Sequence, residues 1–184
     1  MEKSLLRKRF CQIRNSLSPK ELSSLSARIK QNLFDSEEFK SANSILFYAS
    51  FRSEVETLPV IEETLGKKRC FLPKVSADEL KVFEIQSFSE LKSGYYGILE
   101  PITEVEAKLS QIELIIIPGL AFSKDGGRLG YGRGFYDRLL AKTSSLKVSL
   151  CFSCQLTDEI PINQRDQRVD RIITEDGVIY CFER

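Results

Sequence analysis

The chain has 184 residues, of which 42% are hydrophobic and 29% are charged, and its formal net charge is +1. This composition is typical of a globular protein with a full hydrophobic core, and the near-neutral charge argues against broad, non-specific nucleic-acid binding. The sequence contains no histidine, which excludes serine–histidine–aspartate triads, cysteine–histidine pairs and histidine metal sites. Any catalysis must therefore use carboxylates, arginines, lysines, tyrosines or a bound metal.

No apolar run is long enough to span a membrane, and the charged N-terminus is unlike a signal peptide. We therefore expect one domain over residues 1–184, acting as a cytoplasmic monomer without nucleic-acid or membrane partners. The five cysteines are odd in number, which predicts free thiols. Cys151 and Cys154 have metal-ligand spacing but no second pair, so we interpret them as buried thiols.

Helices and strands are predicted to alternate along the chain. An amphipathic helix is predicted over residues 2–16, because Leu6, Phe10 and Ile13 recur at helical spacing. A second helix begins after Ser18, which is followed by a proline at the first helical position and by a capping-box glutamate. Shorter helices are predicted over residues 57–65, 88–92 and 135–142. The predicted strands are residues 44–49, 69–73, 80–85, 112–117, 148–152, 171–174 and 178–182.

This alternation predicts an α/β fold with three layers, in which a mostly parallel sheet is flanked by helices. The strand over residues 112–117 is apolar throughout, as expected for a parallel strand covered on both faces. In such sheets, ligands bind beyond the carboxyl ends of the strands. We therefore expect the functional residues to follow the central strands.

Five of the ten glycines lie within nine residues, from Gly126 to Gly134. A glycine-rich segment between a strand and a helix lets backbone N–H groups approach a phosphate, and Arg128 and Arg133 add positive charge. The segment lacks the Gly-Lys-Ser/Thr of a P-loop and the third glycine of a dinucleotide fingerprint. The alternative is a flexible surface loop. Asp137, in the following helix, suits either a Mg²⁺ ligand or a partner of the helix dipole.

The glycine-rich segment resembles the signature of the 5-formyltetrahydrofolate cyclo-ligase family. The similarity begins at Pro118 and includes Gly127-Arg128-Leu129-Gly130-Tyr131-Gly132-Arg133-Gly134-Phe135-Tyr136-Asp137-Arg138. Other blocks follow in the family's order, over Lys3 and Arg7 and over residues 53–57, 96–101 and 159–175. The resemblance therefore extends over nearly the whole chain.

This resemblance implies an ATP- and Mg²⁺-dependent ligase that converts 5-formyltetrahydrofolate to 5,10-methenyltetrahydrofolate and releases ADP and phosphate. ATP would phosphorylate the formyl oxygen, and N10 would then attack the activated carbon. The residues implied to bind ATP are Lys3, Arg7, Arg128, Leu129, Gly130, Tyr131, Gly132, Arg133, Gly134, Phe135 and Tyr136. Those implied to bind the folate are Ala49, Glu54, Tyr131, Gly132, Arg133, Gly134 and Phe135. Asp137 and Asp166 would hold Mg²⁺, and Arg128, Arg133 and Tyr136 would be catalytic.

Several alternatives remain open from the sequence. Lys3 and Arg7 also suit a solvated helix face, Glu54 a helix cap, and Asp166 with Asp170 an exposed ladder of ion pairs. At the level of function, the alternatives are a ligase of this family acting on another formamide or amide, a non-catalytic reduced-folate binder or interaction module, and a sugar-phosphate isomerase. The first rests on two departures from the family pattern: Tyr131 stands where some members carry a cation, and Arg165 where many carry histidine.

Overall fold

Helices and strands alternate in the computed structural model, which describes residues 2–181 except for the side chain of Tyr95. The helices are α1 (Lys3–Asn15), α2 (Pro19–Asp35), α3 (Glu37–Ser41), α4 (Leu58–Thr64) and α5 (Phe135–Leu140). The strands are β1 (Ser44–Leu46), β2 (Arg69–Ser76), β3 (Glu79–Ile85), β4 (Leu91–Ser93), β5 (Leu99–Pro101), β6 (Leu114–Ile117), β7 (Ala121–Ser123), β8 (Arg128–Leu129), β9 (Leu146–Leu150), β10 (Leu156–Thr157), β11 (Arg171–Thr174) and β12 (Gly177–Tyr180). Residue 182, at the end of the last predicted strand, lies outside the described residues.

The two N-terminal helices form where the sequence predicts them. The hydroxyl of Ser18 accepts a hydrogen bond from the N–H of Glu21, and the Glu21 carboxylate accepts one from the N–H of Ser18 at 2.8 Å. Pro19 occupies the first helical position, where a missing N–H costs nothing. Leu6 and Phe10 of α1 are buried. No helix within residues 2–181 is long and apolar enough to cross a membrane.

The central sheet has seven strands in the order β12-β11-β9-β6-β1-β2-β3. Four of its six pairings are parallel, and only the outer pairs β11–β12 and β2–β3 are antiparallel. Along β6, Leu114 and Ile116 face one core cluster with α2 and α4, whereas Ile115 and Ile117 face another with α5. Helices thus cover both faces of the sheet, which confirms the predicted three-layer, mostly parallel α/β fold.

Several predicted boundaries differ from the structure. The first predicted strand, residues 44–49, pairs only over Ser44–Leu46, and β2 runs on to Ser76 because it forms a hairpin with β3. The predicted helix over residues 88–92 is wrong. A single 3₁₀ turn, Phe88–Glu90, is followed by β4, which pairs with β5 in a separate two-stranded sheet. Strand pairing with a distant segment therefore decides the conformation of these residues.

The glycine-rich segment is divided into a hairpin and an open loop. Strands β7 and β8 pair antiparallel and, with β10, form a small sheet that the sequence did not predict. Gly126 turns this hairpin with φ of +84°, and a Cβ atom there would lie 2.4 Å from the carbonyl oxygen of Val169. Arg128 therefore lies in a strand, which corrects the expectation of one continuous loop. The open part, residues 130–134, is called the glycine loop below.

Candidate functional site

The N-terminal part of α1 lies against the glycine loop. The Nε of Arg7 donates a hydrogen bond to the carbonyl oxygen of Gly130 at 2.9 Å. A Cβ atom on Gly132 would lie 3.4 Å from the guanidinium carbon of Arg7. One turn earlier, the ammonium group of Lys3 forms an ion pair with Asp166. Lys3 and Arg7 therefore face the loop and the segment near residue 166, and they do not form a solvated helix face.

Arg128 is buried beneath the glycine loop, with 6% of its surface exposed. Its Nη1 donates to the carbonyl oxygen of Pro118 at 3.3 Å, and its Nη2 forms an ion pair with Oδ1 of Asp137 at 2.8 Å. A Cβ atom on Gly130 would approach Nη1 to 3.0 Å, so a glycine there lets the chain pass close to the guanidinium. Among the described residues, Nε of Arg128 has no hydrogen-bond partner.

The two predicted metal ligands lie close together. Oδ1 of Asp137 also accepts a hydrogen bond from the N–H of Gln167 at 3.1 Å, and Gln167 is the residue after Asp166. Oδ2 of Asp166 accepts from the N–H of Asn163 at 2.7 Å and from Lys3. Burial raises the pKa of Asp166, but the hydrogen bonds from Lys3 and Asn163 outweigh it and lower the pKa below its usual value. Asp166 is therefore ionised at neutral pH.

Asp166 and Asp170 do not form an exposed ladder of ion pairs. Asp166 pairs with α1, as described above, whereas Oδ2 of Asp170 accepts from the backbone N–H of Lys147 at 2.8 Å, at the start of β9. Within residues 2–181, no group of three or more His, Cys, Asp or Glu side chains is placed to hold a metal ion. A metal between Asp137 and Asp166 would therefore take further ligands from water or a substrate.

Glu54 and Tyr131 meet on the other side of the glycine loop. The Tyr131 hydroxyl donates to Oε1 of Glu54, and the N–H of Phe51 donates to Oε2 at 2.9 Å. Burial raises the pKa of Glu54, although Tyr131, Arg14 and the N–H of Phe51 oppose the shift. Helix α4 begins at Leu58, and Glu54 does not cap it. The sequence-based alternative of a helix cap is therefore wrong.

The other predicted site residues lie around these two groups. Ala49 is buried and belongs to a core cluster against which Tyr136 packs. The guanidinium carbon of Arg128 lies 5.9 Å from the centre of the Tyr136 ring. Arg133 is exposed, with its guanidinium carbon 6.0 Å from the ring centre of Tyr96. The structure thus brings the predicted phosphate, metal and folate residues into one region, with Arg133 at its exposed side.

Sequence reasoning missed Arg14, which is buried and contacts Tyr131. The relevant signal was helical spacing. Lys3, Arg7 and Arg14 are separated by four and seven residues, so they share one face of α1. Only the first two were assigned to the site, because the resemblance to the family did not include Arg14.

Comparison with known proteins agrees over nearly the full length. A family model described as the 5-formyltetrahydrofolate cyclo-ligase family matches residues 1–175. The 5-formyltetrahydrofolate cyclo-ligase of Escherichia coli (strain K12) is 30% identical over 176 residues, covering 91% of this chain and 97% of that protein. The mouse protein of the same name is 27% identical over 188 residues, covering 94% and 93%.

Solved structures give the same result. The NMR structure of Aquifex aeolicus 5,10-methenyltetrahydrofolate synthetase has a TM-score of 0.92 at 35% identity and covers 100% of this chain and 95% of that one. The synthetase from Mycoplasma pneumoniae has a TM-score of 0.78 at 28% identity, with 95% and 99% covered. The family match includes α1, the glycine loop and strands β1 to β11, and the Aquifex aeolicus structure covers the whole chain. The chain therefore belongs to the 5-formyltetrahydrofolate cyclo-ligase family and is a ligase enzyme.

Proposed function

We propose that this enzyme converts 5-formyltetrahydrofolate to 5,10-methenyltetrahydrofolate in an ATP- and Mg²⁺-dependent reaction that releases ADP and phosphate. The observation that carries the proposal is the convergence of three cations, Lys3, Arg7 and Arg128, and two carboxylates, Asp137 and Asp166, beside one glycine loop. The names of the relatives support the folate substrate and product.

The cations approach the proposed ATP site from two sides. Lys3 and Arg7 come from α1, and Arg128 comes from β8 beneath the loop. Phosphoryl transfer needs mainly alignment and stabilisation of the charge on the phosphate oxygens. The unpaired Nε of Arg128 supports a role in anion binding, because a buried N–H without an acceptor is costly. The remaining ATP contacts are proposed along the loop, over residues 129–136, and the contact at Tyr131 is proposed through its backbone N–H and not through its hydroxyl.

The two aspartates fit a Mg²⁺ ion. Among the described residues, Asp137 accepts its two hydrogen bonds through Oδ1 and Asp166 accepts its two through Oδ2. The second oxygen of each carboxylate could therefore bind a metal ion. Mg²⁺ is commonly bound by one or two carboxylates together with substrate phosphates and water. A Mg²⁺ ion held by Asp137 and Asp166 would neutralise charge on the transferred phosphate.

The folate is proposed to bind on the Glu54 side of the loop. The Glu54 carboxylate accepts hydrogen bonds and suits the N–H donors of a pterin ring. The rings of Tyr131 and Phe135 offer faces for stacking, and buried Ala49 forms a small apolar wall. The formyl group would then lie between Glu54 and the cations near Arg128.

The proposed chemistry has two steps. The formyl oxygen attacks the terminal phosphorus of ATP, and the bond to ADP breaks. N10 then attacks the activated formyl carbon and loses its proton, and phosphate departs with the original formyl oxygen. Arg128 and Arg133 would stabilise the transferred phosphate. Burial raises the pKa of Tyr136, so its hydroxyl stays protonated and can donate a hydrogen bond; no histidine is needed.

A spectroscopic assay tests the proposal directly. Purified protein is mixed with 5-formyltetrahydrofolate and Mg-ATP, and the ultraviolet absorbance of the methenyl product is followed. We expect product only when both ATP and Mg²⁺ are present, and loss of turnover in Arg128→Ala. Arg28→Ala, at an exposed position of α2, is the matched control. Retained ATP binding without any product would overturn the folate substrate and favour another formamide or amide.

We also propose that the protein is a monomer, that it is cytoplasmic and that residues 1–184 form a single domain. Size-exclusion chromatography with light scattering tests the first, since a monomer has a mass of 21.0 kDa. A doubled mass at micromolar concentration would contradict it.

A further inference from the structure

The last turn of α1 carries a buried arginine that the proposed reaction does not yet use. Only 5% of the surface of Arg14 is exposed. Its Nη1 donates to the Tyr131 hydroxyl at 2.7 Å and to the carbonyl oxygen of Gly119 at 3.4 Å, and its Nε donates to Oγ of Ser53 at 3.1 Å. Burying a guanidinium costs free energy unless the charge is paired or hydrogen-bonded. The contacts of Arg14 therefore indicate which residues it can influence.

Arg14, Tyr131 and Glu54 form a chain of hydrogen bonds. Arg14 donates to the phenol oxygen of Tyr131, whose hydroxyl hydrogen is donated to Oε1 of Glu54. The guanidinium carbon of Arg14 also lies 5.7 Å from the centre of the Tyr131 ring, so the cation interacts with the ring as well as with the hydroxyl. Because hydrogen bonds in a chain polarise one another, Arg14 strengthens the donation from Tyr131 to Glu54 although it makes no hydrogen bond to Glu54 itself.

In the described part of the chain, four titratable groups interact electrostatically with the Glu54 carboxylate. They come from α1, from the segment after β1, from the glycine loop and from α5: Arg14, Tyr48, Tyr131 and Tyr136. Burial raises the pKa of Glu54, whereas the Tyr131 hydrogen bond and the charge of Arg14 lower it. Arg14 is the cation of this group, so its removal leaves burial less opposed.

We propose that Arg14 is a positioning residue for the folate: it fixes Tyr131 and thereby orients the Glu54 carboxylate toward the N–H donors of the pterin ring. The inference rests on the proposed function, which places the folate at Glu54. The cations Lys3, Arg7 and Arg128 have other partners, which are Asp166, the carbonyl oxygen of Gly130 and Asp137. Loss of Arg14 therefore weakens the folate interaction and leaves the ATP interaction intact.

The variants are Arg14→Met, Arg14→Lys, Tyr131→Phe and the double variant Arg14→Met/Tyr131→Phe. Arg14→Met removes the charge and keeps much of the apolar length, Arg14→Lys keeps the charge, and Tyr131→Phe removes only the hydroxyl that connects Arg14 to Glu54. Arg28→Met is the matched control, because Arg28 is exposed on α2. Near-ultraviolet circular dichroism verifies folding. If Arg14→Met does not fold, Tyr131→Phe tests the same connection.

We expect Arg14→Met to raise the KM for 5-formyltetrahydrofolate about tenfold, a loss suited to a hydrogen bond with a charged partner, with the KM for ATP within twofold of wild type. Arg14→Lys should recover part of the loss. In the Tyr131→Phe background, Arg14→Met should add little, because the connection is already broken. Additive effects of the two substitutions, or an equal rise in both KM values, would overturn the proposal.

The acid limb of the pH profile is the second measurement. Without Arg14 the pKa of Glu54 should rise. Because folate binding is proposed to require the ionised carboxylate, the acid limb of the kcat/KM profile for the folate should move to higher pH. Carbon-13 NMR of Glu54 in the ligand-free protein measures the same change without turnover. An unchanged Glu54 pKa in Arg14→Met, or a changed pKa with an unchanged folate KM, would contradict the positioning role.

Failure of the proposed function is distinguishable from failure of this inference. If the wild type forms no product, equilibrium binding of 5-formyltetrahydrofolate replaces the KM comparison. Weaker binding in Arg14→Met and Tyr131→Phe, with Arg28→Met unchanged, then supports the positioning role alone. A wild type that neither reacts with nor binds this folate overturns both proposals.

Discussion

At the scale of single residues, the ion pair between Arg128 and Asp137 is expected to contribute both to the stability of the fold and to the proposed reaction. The Arg128 side chain is 3% exposed and that of Asp137 is 22% exposed. Removing one partner of a buried pair leaves an uncompensated charge, which costs more than removing both. The two residues can therefore be tested as a pair.

We expect Asp137→Asn to lower the free energy of unfolding by roughly 3 kcal/mol, because it leaves the buried Arg128 charge unpaired. The double variant Arg128→Met/Asp137→Asn should regain part of this loss and remain inactive. Urea unfolding and the absorbance assay measure the two effects. Asp78→Asn, in an exposed turn, is the control. A double variant less stable than Asp137→Asn, or an active one, would show that these roles are wrong.

Glu54 predicts a specific dependence of stability on pH. Burial raises its pKa in the folded state above the ordinary value of 4.5, so the folded protein binds a proton more tightly than the unfolded chain. The stability gained from this proton is fully present below pH 4.5 and is lost as the pH rises through the pKa of the folded state.

The glutamine side chain of the Glu54→Gln variant cannot ionise, so the variant should lack the pH-dependent contribution of Glu54 to stability. The difference in unfolding free energy between Glu54→Gln and wild type should therefore shift in favour of the variant between pH 4 and pH 7, although the variant loses folate affinity. Urea unfolding at several pH values measures it. Parallel pH profiles for the two proteins would show that Glu54 does not have a raised pKa.

At the scale of elements, long periodic segments were predictable and short paired ones were not. Helices α1 and α2 formed as expected, because apolar spacing and the Ser18 capping box are local signals. Strands β7, β8 and β10 have two or three residues each, too few for a period to be visible. The helix predicted over residues 88–92 is limited to the Phe88–Glu90 turn, because Leu91 and Lys92 pair with β5 as part of β4. Long-range pairing is the information that the local sequence lacks.

The same contrast holds for the candidate site. The glycine pattern and the resemblance located the residues from Arg128 to Asp137 along the chain. They did not reveal that Arg128 lies in a strand, which depends on the pairing of β8 with β7. Nor did they reveal that Arg14 contacts Tyr131, which depends on how α1 packs on the loop. Side-chain partners across about 120 positions of sequence, such as Arg7 with Gly130, follow only from the folded chain.

Two glycines with positive φ allow a test of the β7–β8 hairpin. Gly126 has φ of +84° and a Cβ there would meet the Val169 carbonyl at 2.4 Å, whereas Gly66 has φ of +77° with nothing within 4 Å. Gly66→Ala should cost only the left-handed backbone penalty of about 1 kcal/mol. Gly126→Ala should cost clearly more and reduce turnover, because the strand that holds Arg128 must shift. Equal losses of stability in urea unfolding would contradict this explanation.

At the scale of the whole molecule, the site lies where the sheet order places it. Strands β1 and β6 are parallel neighbours. Glu54 and Ala49 follow the carboxyl end of β1, and Pro118 follows that of β6. This agrees with the rule that ligands of open α/β sheets bind beyond the carboxyl ends of adjacent strands. The general position of the site was therefore predictable from the alternation of elements alone.

Binding of Mg-ATP should stabilise the molecule as a whole. At one hundred times its dissociation constant, a ligand adds about 2.7 kcal/mol of stability, which corresponds to a rise in Tm of roughly 5 to 11 °C for a chain of this size. Lys3→Ala and Arg7→Ala should reduce this rise, and Lys8→Ala, at an exposed position of α1, should not. Equal rises in all four proteins would show that α1 does not contact the nucleotide.

Helix α1 also sets a distance. With a rise of about 1.5 Å per residue, Lys3 and Arg14 are held roughly 16 Å apart along one rigid rod. Lys3 contacts the proposed metal end of the site, and Arg14 contacts the proposed pterin end. The first helix of the chain would therefore fix the spacing between the proposed nucleotide site and the proposed folate site. An inserted residue between Lys3 and Arg14 would rotate one end by about 100° relative to the other and separate nucleotide binding from folate binding.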